Sequence, residues 1–263
     1  MSEIIGELHL AHQVPRFQWL ARLTGPRERA LLGAGLAFRR RALQLAHATP
    51  TALDAWQAAL DGETTVQDPL LAAVLTTLQQ HNAPRQPLHT LLDACRGEVG
   101  EVHIADFGAL MSHCRVLANP LGHLALATED ERQLGYLDSL CSSLQLARYW
   151  LEFADDLRAG RVYLPRDELA RGGLDGRQPE PGPALKNLLD AQMFRTRRLL
   201  RSASPLGKLL GGRNGLALRV LILLVDGLLE RKQQQPDPLY CPTSGPGDWS
   251  RGLLRAGYHG LRP

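Results

Sequence analysis

The chain has 263 residues, of which 44% are hydrophobic, so it can bury a large core, and we predict a single domain over residues 1–263. Lysine and arginine exceed aspartate and glutamate by only 30 − 27 = 3, which argues against a nucleic-acid partner. The most apolar run, residues 216–229, is interrupted by Arg219 and Asp226. It is also too short to span a bilayer, which takes about 20 apolar residues.

Apolar residues recur at helical spacing along most of the chain, and no segment alternates like a half-buried strand, so we predict an all-α fold. Proline, glycine and capping residues mark the boundaries. The predicted helices cover 16–23, 27–46, 52–60, 69–81, a stretch from 87 through 95, 107–117, a long stretch from 129–131 to near 160, 184–201 and 216–233, with a last turn near 249–256.

Three further expectations concern the irregular parts of the chain. Residues 119–122 contain Pro120 and should break or kink the helix before them. Residues 171–183, rich in glycine and proline, should form a loop. The two terminal segments, 1–15 and 234–263, are expected to be peripheral to the domain.

Four cysteines lack the CxxC spacing of metal and redox motifs, and three of them fall in apolar helical patterns. They predict buried free thiols in a reducing compartment. We therefore expect a cytoplasmic location, with peripheral contact to a membrane left open as an alternative. The sequence does not determine the oligomeric state.

The most informative stretch is residues 144–169. On its predicted helix Arg148, Glu152 and Asp156 recur every four residues, so one ridge presents a guanidinium and two carboxylates, with Asp155 beside it. Such a ridge can hold magnesium, which prefers a few carboxylates together with substrate phosphate and water. The same spacing is also typical of a solvated face with an ordinary Arg148–Glu152 ion pair.

The residues after the ridge favour a binding site over a solvated face. The helix must end near Gly160, and Arg161 and Tyr163 then lie where the phosphate or the chain of a substrate would be capped. Phe38 and Trp150 are candidates to line a cavity for a long chain, although such apolar stripes are more often plain core.

His47 is a further candidate substrate-binding residue, as a base lining the cavity. A single histidine near a helix end is more often structural.

Four blocks of sequence together resemble the squalene/phytoene synthase family, and within it the hydroxysqualene synthase branch of the hopanoid pathway. They cover most of the chain: LDAWQAALDG (53–62), DPLLAAV followed by LLDACRGEV, FGALMSHCRVLANPLGHLAL (107–126) and LCSSLQLARYWLEFADDLRAGRVYLPRDEL (140–169). The resemblance implies an isoprenoid synthase-like helical bundle around a central cavity. In this family Asp-rich motifs on two facing helices hold magnesium, which binds an isoprenyl diphosphate.

The sequence departs from the family pattern at both motifs. The three aspartates expected in the first motif fall on Leu43, Gln44 and His47, none of which can replace a carboxylate on magnesium. In the second motif Glu152 stands where the family has Asp, Asp156 matches, and Arg148 replaces the usual Asn. The resemblance therefore implies weakened magnesium binding, at Glu152 and Asp156 if anywhere, and no other cofactor. In the block before, Glu98 replaces an Asp.

Three functions follow from this pattern. The first is a divergent cyclase or transferase acting on a hydrophobic isoprenoid or another polyene without two-motif magnesium chemistry. Glu152, Asp155 and Asp156 would then transfer protons or stabilise cations, and Arg148 would steer an anionic group. The second is a noncatalytic relative that binds lipid or assists assembly. The third is a hydroxysqualene-type synthase acting on presqualene diphosphate. We prefer the first because the acid ridge and the segment after it are retained.

Overall fold

The computed structural model describes residues 24–98, 100, 102–126, 128 and 130–242, and these residues form eleven α-helices and no β-strand. The all-α prediction is confirmed. The predicted helix over 16–23 and the last turn over 249–256 lie outside the described residues. The helices are α1 (Pro26–Ala48), α2 (Ala52–Asp61), α3 (Pro69–Gln80), α4 (Gln86–Gly97), α5 (Phe107–Ala125), α6 (Glu131–Leu151), α7 (Phe153–Arg158), α8 (Arg166–Arg171), α9 (Pro183–Ser202), α10 (Pro205–Leu210) and α11 (Gly212–Gln233).

Aspartate side chains fix the start of three helices. Asp68 accepts hydrogen bonds from the backbone of Leu70 and Leu71 at the start of α3, and Asp106 accepts one from Ala109 at the start of α5. Asp130 does the same for α6. Each cap satisfies amide groups that have no partner within the helix, which typically stabilises a helix by about 1 kcal/mol.

The long helix of the acid ridge is interrupted, which corrects the prediction of one helix to near residue 160. Glu152, at φ −96° and ψ 13°, separates α6 from the short α7. The chain then turns through Gly160, whose φ of 73° lies in the left-handed region that glycine adopts at little cost. The extended residues that follow lead into α8, a helix the sequence pattern did not predict.

Helix α5 continues through Pro120, so of the expected break or kink the break is wrong. Pro120 removes one backbone hydrogen bond from the helix interior. The residues around it are buried, and α5 packs extensively on α6 and α1, so tertiary packing offsets this local cost. The short α10 was also missed, because six residues are too few to give a clear helical period.

Buried apolar side chains of the described residues form two clusters. One lies mainly among α1, α2, α3 and α4, and the other among α5, α6, α9 and α11. Helix α5 contributes to both, with Leu121 and Leu124 in the first cluster and Leu110 and Cys114 in the second. All four cysteines carry free thiols, as predicted, but only Cys95, Cys114 and Cys141 are buried, whereas Cys241 is partly exposed. Among the described helices, none is both long and apolar enough to cross a bilayer.

Candidate functional site

Arg148 lies between the two carboxylates of the acid ridge. Its Nη1 is 3.1 Å from Oε2 of Glu152 and 3.6 Å from Oδ2 of Asp156. The two carboxylates are almost inaccessible, with 9% and 4% of their side chains exposed. The three ridge residues are therefore brought together as predicted, and their charges are paired with each other.

Asp156 is held by a second guanidinium. Arg161 donates from Nε at 3.0 Å and from Nη2 at 2.8 Å to Oδ1 of Asp156. The Gly160 turn makes this possible, because it returns the chain so that the Arg161 backbone amide also bonds to the carbonyl of Asp156, at 2.8 Å. Asp155 points elsewhere: it is exposed and pairs with Arg158.

Tyr163, from the extended segment after α7, packs into an aromatic cluster with Tyr149 and His113. Tyr149 and Tyr163 stack with centroids 3.9 Å apart, and the His113 ring lies 5.8 Å from that of Tyr163. His113 Nε2 is 3.2 Å from Oε1 of Glu98, and Tyr163 donates a hydrogen bond to Glu98. The guanidinium carbon of Arg148 lies 4.4 Å from the centroid of the Tyr149 ring, which joins this cluster to the acid ridge.

Burial sets the protonation behaviour of these groups. Burial raises the pKa of Glu152, and Arg148 opposes that rise. Burial also raises the pKa of Glu98, and it raises the pKa of Tyr163 to about 12. Burial and then the charge of Arg148 lower the pKa of His113 to about 4. The site therefore favours a neutral His113 at neutral pH.

A cavity of about 170 Å3 adjoins the acid ridge, between α1, α5, α6 and α11. Most of its walls are aliphatic, and its polar side chains are those of Arg39, Gln145 and Arg148. The other lining residues are Leu32, Leu36, Ala118, Leu121, Gly122, Ala125, Leu126, Leu137, Leu140, Cys141, Leu144, Leu218 and Leu221. Arg148 thus faces both the cavity and the acid ridge.

Arg39 is a cavity residue that the sequence reasoning missed. Its Nη1 donates to the backbone carbonyl of Leu117 at 3.1 Å and reaches Oε1 of Gln145 at 3.5 Å. The signal was present, because Leu32, Leu36 and Arg39 follow one another at helical spacing on a single face of α1. The run of three arginines, Arg39 to Arg41, is by itself typical of a solvated helix face, so charge alone does not single out the one that faces the cavity.

Of the six nominated substrate-binding residues, Arg148 lines the cavity and the other five do not. Arg161 and Tyr163 instead contact Asp156 and Glu98, as described above. Phe38 is buried against Trp56 in the first apolar cluster, with ring centroids 5.1 Å apart. Trp150 is buried in the second cluster and donates to Oγ1 of Thr196 at 2.8 Å. His47 is exposed near the end of α1. Within the described part of the chain, no group of three or more His, Cys, Asp or Glu residues is placed to hold a metal ion.

Comparison with known proteins identifies the family. The family model for squalene/phytoene synthase matches residues 10–251. The hydroxysqualene synthase of Rhodopseudomonas palustris is 29% identical over 248 residues, covering 89% of this chain and 83% of that protein. Phytoene synthase of Mycobacterium tuberculosis is 30% identical over 199 residues, which span 69% of this chain but only 65% of the relative. Phytoene synthase 1 of Zea mays is 28% identical over 169 residues, 59% of this chain and 41% of the relative.

Solved structures show the same fold. A dehydrosqualene synthase in complex with ligand superposes with a TM-score of 0.80 at 16% identity, covering 98% of this chain and 96% of that one. The squalene synthase HpnC from Alicyclobacillus acidocaldarius gives a TM-score of 0.70 at 21% identity, covering 92% and 97%. With the family model matching nearly the whole length and the helical architecture shared, this chain belongs to the squalene/phytoene synthase family.

Proposed function

We propose that this family member binds an isoprenoid or another polyene in the cavity and acts on it as a cyclase or transferase without magnesium at the acid ridge. The observation that carries the proposal is the position of Arg148. Its guanidinium contacts both ridge carboxylates and also lines the apolar cavity. By the resemblance, Arg148 stands within the family's second Asp-rich motif, so its fixed cation would take the place of a metal there.

The residues present fit magnesium poorly. Magnesium needs carboxylate oxygens that are free to coordinate, and Oε2 of Glu152 and Oδ1 of Asp156 are each bound to an arginine. Oε1 of Glu152 and Oδ2 of Asp156 accept no hydrogen bond from the described residues, but the guanidinium of Arg148 lies only 3.6 Å from the latter, and a second cation there would be repelled. On α1, at the positions where the resemblance expects three aspartates, Leu43 is half-buried against the first apolar cluster, while Gln44 and His47 are exposed. These positions offer no carboxylate.

Glu152 is the group best suited to start a metal-independent reaction. Burial raises its pKa, which favours the acid form needed to protonate a carbon–carbon double bond. Glu152 does not itself line the cavity, so the polyene would have to extend past Arg148 to reach it. There the Glu152 proton would add to a double bond, the resulting carbocation would close a ring, and loss of a proton to the Glu152 carboxylate would complete an isomerisation that needs no oxidant. Arg148 lies between Glu152 and the cavity and would hold an anionic group of the substrate.

A noncatalytic, lipid-binding relative is the second candidate. It is favoured by the ion pairs of Asp156 with both Arg148 and Arg161, and by the exposure of Asp155. Neither carboxylate lines the cavity. The third candidate, a synthase acting on presqualene diphosphate, is favoured by the similarity to the hydroxysqualene synthase of R. palustris over 89% of this chain.

One set of incubations distinguishes these functions. The purified full chain is given squalene, farnesyl diphosphate or presqualene diphosphate, each with magnesium and with EDTA. We expect a cyclic isomer of the polyene in both conditions, lost in Glu152→Gln and retained in Asp93→Asn, an exposed control on α4. Binding of squalene without conversion, unchanged by Glu152→Gln, would favour the noncatalytic function. Magnesium-dependent release of diphosphate that Asp156→Asn abolishes would contradict the proposal and establish the third function.

A further inference from the structure

The polar end of the cavity carries a cation that the protein does not neutralise. Within the residues that the structure describes, Arg39 has no carboxylate within ion-pair distance, and its guanidinium contacts only the neutral oxygens of Leu117 and Gln145. Burial and then the charge of Arg148 lower the pKa of Arg39. The positive charges of Arg39 and Arg148 therefore repel each other in a site from which water is largely removed.

The guanidiniums at this end differ in their partners. Arg148 and Arg161 pair with the ridge carboxylates of Glu152 and Asp156, whereas Arg39 has no carboxylate partner among the described residues. Glu98 also influences Arg39 electrostatically. Its carboxyl group, however, contacts His113 and Tyr163, and burial raises its pKa toward the neutral form.

The cations lie at one end of an otherwise aliphatic cavity. On α1 the lining passes from Leu32 and Leu36 to Arg39, and on α6 it passes from Leu144 to Gln145 and Arg148. The contact between Arg39 and Gln145 joins the two helices at this end. The combination of an apolar wall and a paired guanidinium end matches a ligand with an apolar chain and one anionic head.

We propose that the Arg39–Arg148 end binds the single carboxylate of an apolar chain seated in the cavity. This inference rests on the proposed function, because it names the ligand class of the same cavity. One carboxylate would supply the charge partner that Arg39 lacks, and two guanidiniums can bind its two oxygens. A diphosphate carries more negative charge than the one unpaired guanidinium can neutralise without a metal.

The cavity also limits the enclosed part of the chain. Its volume of about 170 Å3 is close to that of the engineered apolar cavity of about 150 Å3 that admits benzene. A short chain should therefore fill the enclosed part, and the rest of a longer one must extend through the opening. Geranic acid, with ten carbons and one carboxylate, is the probe we choose.

Calorimetry in EDTA would compare geranate, geraniol and geranyl diphosphate on the full-length protein. We expect geranate to bind most tightly, and Arg39→Gln to weaken it about tenfold or more while leaving geraniol unchanged, since a hydrogen bond between charged groups is lost. Arg39→Lys should retain part of the affinity. Arg115→Gln, an exposed arginine on α5, is the matched control and should bind like the wild type. Circular dichroism of each variant establishes that it is folded.

Two results would overturn the inference while leaving the proposed function intact. One is equal binding of geranate and geraniol with no effect of Arg39→Gln, which would show that the cavity does not recognise the head group. The other is tighter binding of geranyl diphosphate than of geranate without metal, which would contradict a preference for a single carboxylate. If the wild type binds none of the three probes or squalene, the proposed function itself fails.

Discussion

Tyr149 and Tyr163 stack with ring centroids 3.9 Å apart and an angle of 16° between their planes. This contact joins the end of α6 to the extended segment after α7, so the two parts of the most specific sequence block are fixed against each other. Arg148 lies over the Tyr149 ring, and Arg161, two residues before Tyr163, reaches Asp156. The aromatic stack therefore positions the two guanidiniums that neutralise the acid ridge.

Replacing Arg148 should destabilise the protein strongly. Arg148→Gln leaves the buried carboxylate of Glu152 without its charge partner and removes one of two partners from Asp156. Breaking a buried pair from one side typically costs roughly 3–5 kcal/mol, and we expect a loss near the lower end because Arg161 remains. Urea unfolding measures it. Arg158→Gln, which breaks the exposed pair with Asp155, is the control and should cost less than about 1 kcal/mol.

Acid should destabilise the protein partly through His113. Its pKa is lowered to about 4 in the folded state, so between about pH 6.5 and pH 4 the unfolded chain binds more protons at this residue. The contribution is fully present above pH 6.5 and is lost as the pH falls toward 4. We expect the wild type to lose on the order of 3 kcal/mol relative to His113→Gln across this window, since the pKa is lowered from 6.5 to about 4 and one pKa unit corresponds to about 1.4 kcal/mol.

The measurement for His113 is a series of urea unfolding curves at closely spaced pH values for both proteins. The raised pKa values of Glu98 and Glu152 act in the opposite direction, because the folded state then retains protons that the unfolded chain releases. The difference between the two proteins cancels most of that contribution. Parallel stability curves from pH 8 to pH 4 would show that His113 does not titrate as described.

Packing around Gly122 leaves no room for a side chain. A Cβ at this position would lie 2.5 Å from Sγ of Cys141 and 3.1 Å from Leu137. Gly122→Ala should therefore destabilise the protein by about 1–3 kcal/mol, as overpacking does. Cys141→Ala removes the sulfur and should rescue most of this loss in the double variant. Additive losses in a double-mutant cycle would contradict the direct contact. Gly135→Ala, where nothing lies within 4 Å, should stabilise by about 1 kcal/mol.

Trp150 should matter for stability and not for ligand binding. Its indole donates to Thr196 and thereby connects α6 to α9, on the side of α6 away from the cavity lining. Trp150→Phe loses this buried hydrogen bond and part of the packing, which should cost about 1–3 kcal/mol. Thermal unfolding measures the loss, and titration with geranate should give an affinity like that of the wild type. A clear loss of affinity for geranate in Trp150→Phe would show instead that Trp150 contributes to ligand binding.

Sequence patterns predicted the larger helices well because each has a long apolar face and a strong boundary residue, such as Asp68, Asp106 or Asp130. They failed at Pro120, where tertiary packing offsets a local cost, and at Glu152, where the helix is interrupted without glycine or proline. The acid ridge could be predicted from residue spacing alone. The cavity could not be predicted, because the residues that line it come from four helices. Arg39 differs from its neighbours Arg40 and Arg41 only in that its side chain faces the cavity.

The cavity lies where the two apolar clusters meet. Leu32, Leu36 and Leu121 belong to or pack on the cluster of α1 to α4, whereas Leu137, Leu140 and Leu221 belong to or pack on the other. A ligand in the cavity touches both clusters at once. Its binding free energy therefore stabilises the interface between the two clusters more than it stabilises the packing within either cluster. Ligand binding should therefore make the two clusters unfold more cooperatively. The ligand-bound protein should show a sharper thermal transition, and the midpoint temperature of that transition should be higher.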